Sequence, residues 1–317
     1  MPEGDTVRRS AGRLHQALAG RELTRAELRW PNLGAVELSG RTVTEVLAYG
    51  KHILTRMAAL PAGRETSAPD GDVALTLHSH LRMDGSWRVA ATGPTSWPHV
   101  DRPGVRAALA NVEWTAVGMT LGMVDLVATD NESSLIGHLG PDILADGFAD
   151  PTRSWGVTEA LRRVTDDPDA TIGGALLDQR NLAGIDTFYM SEALFSRGIS
   201  PWTRVGDVAD PAAVVDRARR MLSSNLVRAT PSTTGDLRNG NRQYVHARSG
   251  LPCRRCGNPV RVAMIEVYRR SPGQTAEVER TAFYCPRCQP GPTPTDDGRA
   301  QAPLGTAAPS RSAYRRI

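Results

Sequence analysis

The chain has 317 residues, 40% of them hydrophobic, and its 38 Lys and Arg against 34 Asp and Glu leave a net charge of +4. That length suits two domains and a small appendage. No apolar run is long enough to span a bilayer and the charged start lacks the apolar core of a secretory signal, so neither a membrane partner nor export is expected, and the cytoplasm is the expected compartment. A pI of about 9.1 suits a nucleic-acid partner without requiring one.

The spacing of Val7, Ala11, Leu14 and Leu18 predicts an opening helix that runs to Ala19, capped by Asp5 and stopped at Gly20. Short alternating runs follow at Glu22–Trp30, Thr42–Tyr49, His52–Met57, Val73–His80, Trp87–Ala90, Val105–Trp114 and Leu121–Ala128, and their spacing predicts a β-sandwich. Residues Pro61–Asp72 read as a polar surface loop. From Pro141 the periodicity turns helical, over Thr152–Val164, Ile172–Ala183, Thr187–Arg197 and Pro211–Ala229, with Gly198 as a C-cap. Gly184-Ile185-Asp186 joins the second and third of these tightly. Such a turn is either an ordinary αα-hairpin or a set of backbone N–H groups offered to a phosphate.

The four cysteines form two CxxC pairs, Cys253/Cys256 and Cys285/Cys288. A disulfide framework would scatter them, so a reduced compartment and one tetrahedral, structural Zn²⁺ are expected. A hairpin fills the interval, with Val260–Tyr268 and Val278–Tyr284 as strands around Ser271-Pro272-Gly273. Arg254, Arg255, Arg261, Arg269, Arg270, Arg280 and Arg287 make this module basic, as a phosphate-binding finger would be. After Gln289 the Pro-, Gly- and Thr-rich composition predicts a disordered tail.

At the other end, removal of Met1 would give Pro2 a free secondary amine. An α-amino group titrates near pH ~7.7–8.0, about two units below lysine, so part of it is neutral and nucleophilic. The positive end of the opening helix would disfavour its protonation, and Glu3 supplies acid/base capacity beside it. An amine next to a carboxylate suits Schiff-base chemistry on a masked aldehyde, although Met-Pro-Glu is also simply an easily processed start. Lys51, at the step between two strands, is either a solvated strand end or an acid/base group or phosphate contact. Met83, in His80–Arg88, is either core filler or an apolar wedge for a base stack.

Six blocks in order then carry a resemblance: Met1–Val7, Gly50-Lys51-His52, His80–Arg88, His138–Asp142, Leu176–Arg180 and Arg280–Gln289. Together they resemble the formamidopyrimidine-DNA glycosylase/endonuclease VIII family, most of all its actinobacterial endonuclease VIII-like branch. The resemblance implies an α+β multidomain fold. Its expected parts are an N-terminal β-sandwich with an N-terminal helix over 1–130, a helix–two-turns–helix domain over 131–249, a β-hairpin zinc finger over 250–289 and the tail over 290–317.

It also implies a mechanism and a partner, damaged double-stranded DNA (or a bubble or single strand), bound by a monomer. A damaged base is flipped from the duplex, Pro2 attacks the anomeric carbon, and Glu3 assists ring opening. Elimination of the 3′ and then the 5′ phosphate follows. Lys51 matches the family's proton donor in β-elimination, and Arg280 the zinc-finger arginine that grips the phosphates. Arg82 and Met83 fall on the loop that fills the gap left by the flipped nucleotide.

Two departures shape the expectation. The family's Gly-Asn pair at the helix–two-turns–helix turn is Asp186-Thr187 here, so Thr187 takes the place of a DNA-contacting Asn and Asp186 opposes a phosphate. No Arg-x-Phe wedge occurs between Val105 and Val124, and that absence, with Trp87, points to oxidised pyrimidines. An oxidised-purine glycosylase and a damage-binding protein without turnover are the alternatives.

Overall fold

A computed structural model describes residues 2–60, 73–93, 100–271 and 274–294, the side chains of 268–277 excepted. The expectations for Pro61–Asp72, for the Pro272-Gly273 turn, for Arg269 and Arg270 and for the tail beyond 294 lie outside them. The chain divides into two compact units, Met1–Leu139 and Gly140–Ile317.

The first unit opens with helix α1 (Gly4–Leu18), whose apolar stripe of Val7, Ala11, Leu14 and Leu18 is buried. Its N-cap is Glu3, at extended backbone angles, and Asp5 lies inside the first turn; the expected cap is therefore two residues too late. A carboxylate in that turn still faces the positive end of the helix. Among the described residues eight strands follow: β1 (Arg25–Leu28), β2 (Val43–Tyr49), β3 (His52–Met57), β4 (Leu75–His80), β5 (Ser86–Ala91), β6 (Val105–Ala110), β7 (Trp114–Met119) and β8 (Met123–Ala128). They form two antiparallel four-stranded sheets, in the orders β1-β6-β7-β5 and β2-β3-β4-β8.

The alternation read from the sequence sends Leu28, Val46, Ile53, Leu75, Leu77, Trp87, Leu109 and Val124 into one core with the α1 stripe. One strand was not foreseen. The run Val105–Trp114 crosses a reversal at Asn111, whose side-chain oxygen accepts the amides of Glu113 and Trp114 at 2.9 and 2.8 Å and starts β7. A short helix α2 (Ser133–Ile136) ends the unit's regular structure.

The second unit holds α3 (Val157–Val164), α4 (Ile172–Leu177), α5 (Thr187–Arg197), α6 (Pro211–Asn225) and the hairpin β9 (Arg261–Ser271)–β10 (Gln274–Tyr284). Three of the four helices are shorter than their periodicity suggests, each for a local reason. The Asp150 carboxylate accepts from the Thr152 amide and hydroxyl, delaying α3. Asp178 takes the amide and guanidinium of Arg180, which ends α4 and replaces the tight inter-helix turn by an irregular link over 178–186. Asn225 binds Met221 and Ser232, which ends α6. The helices share a core with Ile265, Val267 and Ala282, so one face of the hairpin is part of the helical domain's interior.

Candidate active site

Helix α1 runs antiparallel along β2. Gly20, just past the helix, donates to Val43 at 2.8 Å, and the Val46 amide donates to His15 Nδ1 at 3.2 Å. Following both elements from those contacts brings the start of α1 to the far end of β2, where Tyr49 pairs with His52 across Gly50-Lys51. Gly50 has a φ of 56° at the first of two loop positions, the requirement of a type II′ hairpin. Pro2, Glu3 and Lys51 thus converge at one end of the sandwich. Glu3 is only 3% exposed, and Pro2 directly precedes this N-cap, beside the positive pole of the helix. Lys51 is the only lysine in the chain; every other cationic side chain of the 38 is arginine.

The loop after β4 starts from the same end, since His80 pairs with His52. It is tightly built. The Gly85 amide donates to the Leu81 carbonyl at 2.9 Å, and a Cβ on Gly85 would lie 2.3 Å from that oxygen. Arg82 takes a left-handed backbone, φ 49°, held by its amide's 2.9 Å bond to His80 Nδ1. Its aliphatic stem lies over Gly122, where a Cβ would come within 2.3 Å of Arg82 Cγ. Met83 is 61% exposed at the tip. It is therefore not core filler. Trp87 is buried in the sandwich core and its indole N–H donates to Ser79 Oγ at 3.1 Å, so it supports this loop from inside.

Beside Lys51, the polar outer face of the β2-β3-β4-β8 sheet carries side chains the sequence reading did not single out. His52 Nδ1 is 2.7 Å from His78 Nε2, and His78 Nδ1 is 2.9 Å from Asp125 Oδ2. The His52 and His78 rings stack at 4.9 Å, and His80 meets His52 edge-on at 4.9 Å. Burial first, then the neighbouring His78, His80, His138 and Lys51, push His52 down to about 3. Burial also holds His78 below its ordinary value, against the opposing pull of Asp125. Further along the same face, Arg56 forms charge-assisted bonds of 2.8 and 2.6 Å to Glu132 and 2.9 Å to Glu45.

In the second unit, Asp186 is the N-cap of α5, and its carboxylate accepts the Thr187 amide at 2.9 Å. Thr187 is buried in the first turn. The preceding link is stitched by Gln179, whose amide donates to Ile185 O at 2.7 Å and accepts from Gly184 N at 3.1 Å. Glu192, wholly buried on α5, accepts the backbone amides of Tyr244, Val245 and His246 at 2.8–2.9 Å and the Thr233 hydroxyl. One carboxylate thereby ties the segment before the cysteines to the helix.

The four cysteines come together, with their sulfurs all within 4.8 Å of one another. Two measured separations are 3.9 Å for Cys253–Cys288 and 3.5 Å for Cys256–Cys285. A tetrahedron with Zn–S bonds of about 2.3 Å needs sulfurs about 3.8 Å apart, so the donor set fits zinc and leaves no open position. Arg280 is exposed on β10, opposite Ile265 and on the face whose neighbours Ile265 and Ala282 are buried. Two other arginines are already engaged. Arg254 bonds the Gln243 carbonyl at 3.0 Å and Asn241 at 3.1 Å, and the Arg255 guanidinium sits 4.4 Å over the Phe195 ring.

The chain is similar to known proteins over most of its length. The family model for the formamidopyrimidine-DNA glycosylase N-terminal domain matches residues 1–125. A Streptomyces coelicolor protein named probable endonuclease 8 2 is 43% identical over 301 residues, covering 94% of this chain and 98% of that protein. A Mycolicibacterium smegmatis protein named DNA-(apurinic or apyrimidinic site) lyase Nei2 is 37% identical, covering 91% of this chain and 99% of its own length. Among solved structures, Lactococcus lactis Fpg with an oxidised-pyrimidine-containing DNA superposes with a TM-score of 0.64 at 20% identity, over 92% of this chain and 100% of that one. The chain belongs to the formamidopyrimidine-DNA glycosylase/endonuclease 8 family.

Proposed function

We propose that the protein is a bifunctional DNA glycosylase and abasic-site lyase that removes oxidised pyrimidines through an N-terminal proline Schiff base. The observation that carries this reading is the convergence of Pro2, buried Glu3 and the sole lysine, Lys51, at one end of the sandwich, with the Met83 loop rising from the same end. Pro2 without Met1 offers the only secondary amine. Its attack on the anomeric carbon gives an iminium, which acidifies the neighbouring C–H. Glu3 moves a proton during ring opening and base departure. Lys51 then donates to the leaving 3′ phosphate, and loss of the 5′ phosphate leaves a one-nucleoside gap. Met83 is positioned to enter the space vacated by the flipped nucleotide, with Arg82 anchoring the loop beneath it.

DNA contact falls to Arg82, Thr187 and Arg280, and Cys253, Cys256, Cys285 and Cys288 hold one zinc ion. Bound there, zinc supplies structure only, fixing the base of the hairpin that carries Arg280. Support for pyrimidine lesions comes from the missing Arg-x-Phe wedge between Val105 and Val124, taken with Trp87. The protein is read as a cytoplasmic monomer acting on duplex DNA. Cleavage of thymine-glycol against 8-oxoguanine duplexes tests the assignment: faster cutting of the first is expected, and a clear preference for the second would reassign the protein to purine lesions.

A further inference from the structure

The loop that carries Met83 is tied on both sides of that residue. Before it, the Arg82 amide donates to His80 Nδ1 at 2.9 Å, and after it the Thr120 hydroxyl donates to the Asp84 carbonyl at 2.9 Å. The first tie sustains the left-handed backbone of Arg82, φ 49°, which a residue with a side chain adopts only with specific support. It also depends on the angle of one ring. His80 is the last residue of β4, and rotation of its imidazole about χ2, a torsion with broad minima, would turn Nδ1 away from the amide. The ring that meets it is His52, edge-on at 84° with centroids 4.9 Å apart, and the two residues pair across β3 and β4. His52 is held in turn. Its Nδ1 lies 2.7 Å from His78 Nε2, and His78 Nδ1 lies 2.9 Å from Asp125 Oδ2, with His78 and Asp125 paired across β4 and β8. A carboxylate accepts, so His78 Nδ1–H donates to Asp125, and neutral His78 accepts from His52 Nδ1–H. His78 is 1% exposed, whereas the Asp125 side chain at the far end is 42% exposed.

We propose that Asp125, His78 and His52 are positioning residues for the Met83 loop: together they lock the His80 ring so that its Nδ1 keeps the Arg82 amide and Met83 stays projected. The inference rests on the wedge role proposed for Met83. Each link from Asp125 to His80 is a contact between side chains on adjacent strands, and the His80–Arg82 bond carries it into the loop. A wedge acts by entering a base stack, so it must hold its place against the bases it displaces. A tip that had to be ordered on entry would lose part of its contact energy to that ordering. Asp125, on the edge strand β8, is thereby connected to the loop tip across the whole width of β4 and β3.

Hydrogen exchange of the Arg82 amide in ¹⁵N-labelled full-length protein reads the tie directly, without DNA. The wild type is compared with H52F, H78F, D125A and D125N; the first two keep an aromatic ring and the last keeps an acceptor for His78. Arg82 exchange should quicken about tenfold in H52F, H78F and D125A and return towards the wild-type rate in D125N. A general loss of stability would quicken exchange everywhere, so the amides of α1 serve as reference and should stay within about twofold. Single-turnover excision of thymine glycol should slow about five- to tenfold in the same three variants, as in M83A, while cutting of a preformed abasic site, with no base to unstack, stays within about threefold. If H52F or H78F fails to fold, the exposed D125A carries the test. Arg82 exchange identical to wild type in every folded variant would overturn the proposal. So would quickened exchange with excision at the wild-type rate beside a slow M83A. Excision at the wild-type rate in M83A would instead remove the wedge from the proposed function, and Arg82 exchange would still read the positioning chain.

Discussion

The Asp186 carboxylate accepts the backbone amide of Thr187 at 2.9 Å and so caps helix α5. The position thus carries a stabilising bond and a negative charge at a turn where the family resemblance expects a phosphate. The two effects separate by substitution. D186A loses the cap and about 1 kcal/mol of stability. D186N keeps an N-cap residue of similar quality and removes the charge, so its melting temperature should change little while its affinity for abasic-site DNA rises about three- to tenfold at low salt. Fluorescence anisotropy and thermal melting measure both. Unchanged affinity in D186N would show that the carboxylate does not oppose the phosphate.

Glu192 holds a segment rather than a single partner. Truncation to alanine leaves three backbone amides, at buried Val245 and half-buried Tyr244 and His246, without their acceptor. The expected cost is about 3 kcal/mol or more, at roughly 1–3 kcal/mol per abandoned buried donor. Urea unfolding of E192A measures it; a change below about 1 kcal/mol would mean that the segment finds other acceptors.

The metal assignment predicts one zinc per chain by elemental analysis. Replacing Cys285 with serine, or prolonged chelation, should release the metal and abolish DNA binding, because the strand carrying Arg280 ends at that ligand. Full DNA affinity in a zinc-free protein would contradict the structural role.

Acid should destabilise the fold through its buried histidines. Burial pushes His52 down to about 3 and His246, ringed by Phe188 and Phe283, down to about 4. In the unfolded chain both titrate near ~6.5. Above that pH they are neutral in both states and their contribution is constant. As pH falls through it, the unfolded chain binds protons that the folded chain refuses, so stability declines from about pH 6.5 towards the folded values. Melting temperatures at pH 7.5 and pH 5 should therefore differ less in H52F than in wild type. An equal drop in both would remove His52 from that account.

Much of this was legible in the sequence because period and punctuation carry it. The α1 stripe, β3 at His52–Met57, α5 at Thr187–Arg197 and the two CxxC pairs stand where spacing places them. The irregular link over 178–186 was not legible, because Asp178 and Gln179 end a helix whose apolar period continues past them. Nor was the histidine chain. His52, His78 and Asp125 lie far apart in sequence, and only the register of β3, β4 and β8 stacks them on one face. Alternation in Leu77-His78-Ser79-His80 is the one local hint, since it sets two histidines on the same side of a strand.

The most direct test of the central claim uses borohydride on a mixture of the protein and abasic-site DNA, followed by mapping of the crosslinked peptide. The mature chain has only two kinds of aliphatic amine, the α-amine at Pro2 and Lys51, so the result is close to binary. The adduct should map to Pro2 and vanish in a protein that retains an uncleaved N-terminal extension. An adduct on Lys51, or an undiminished crosslink from the extended chain, would contradict the proline Schiff base.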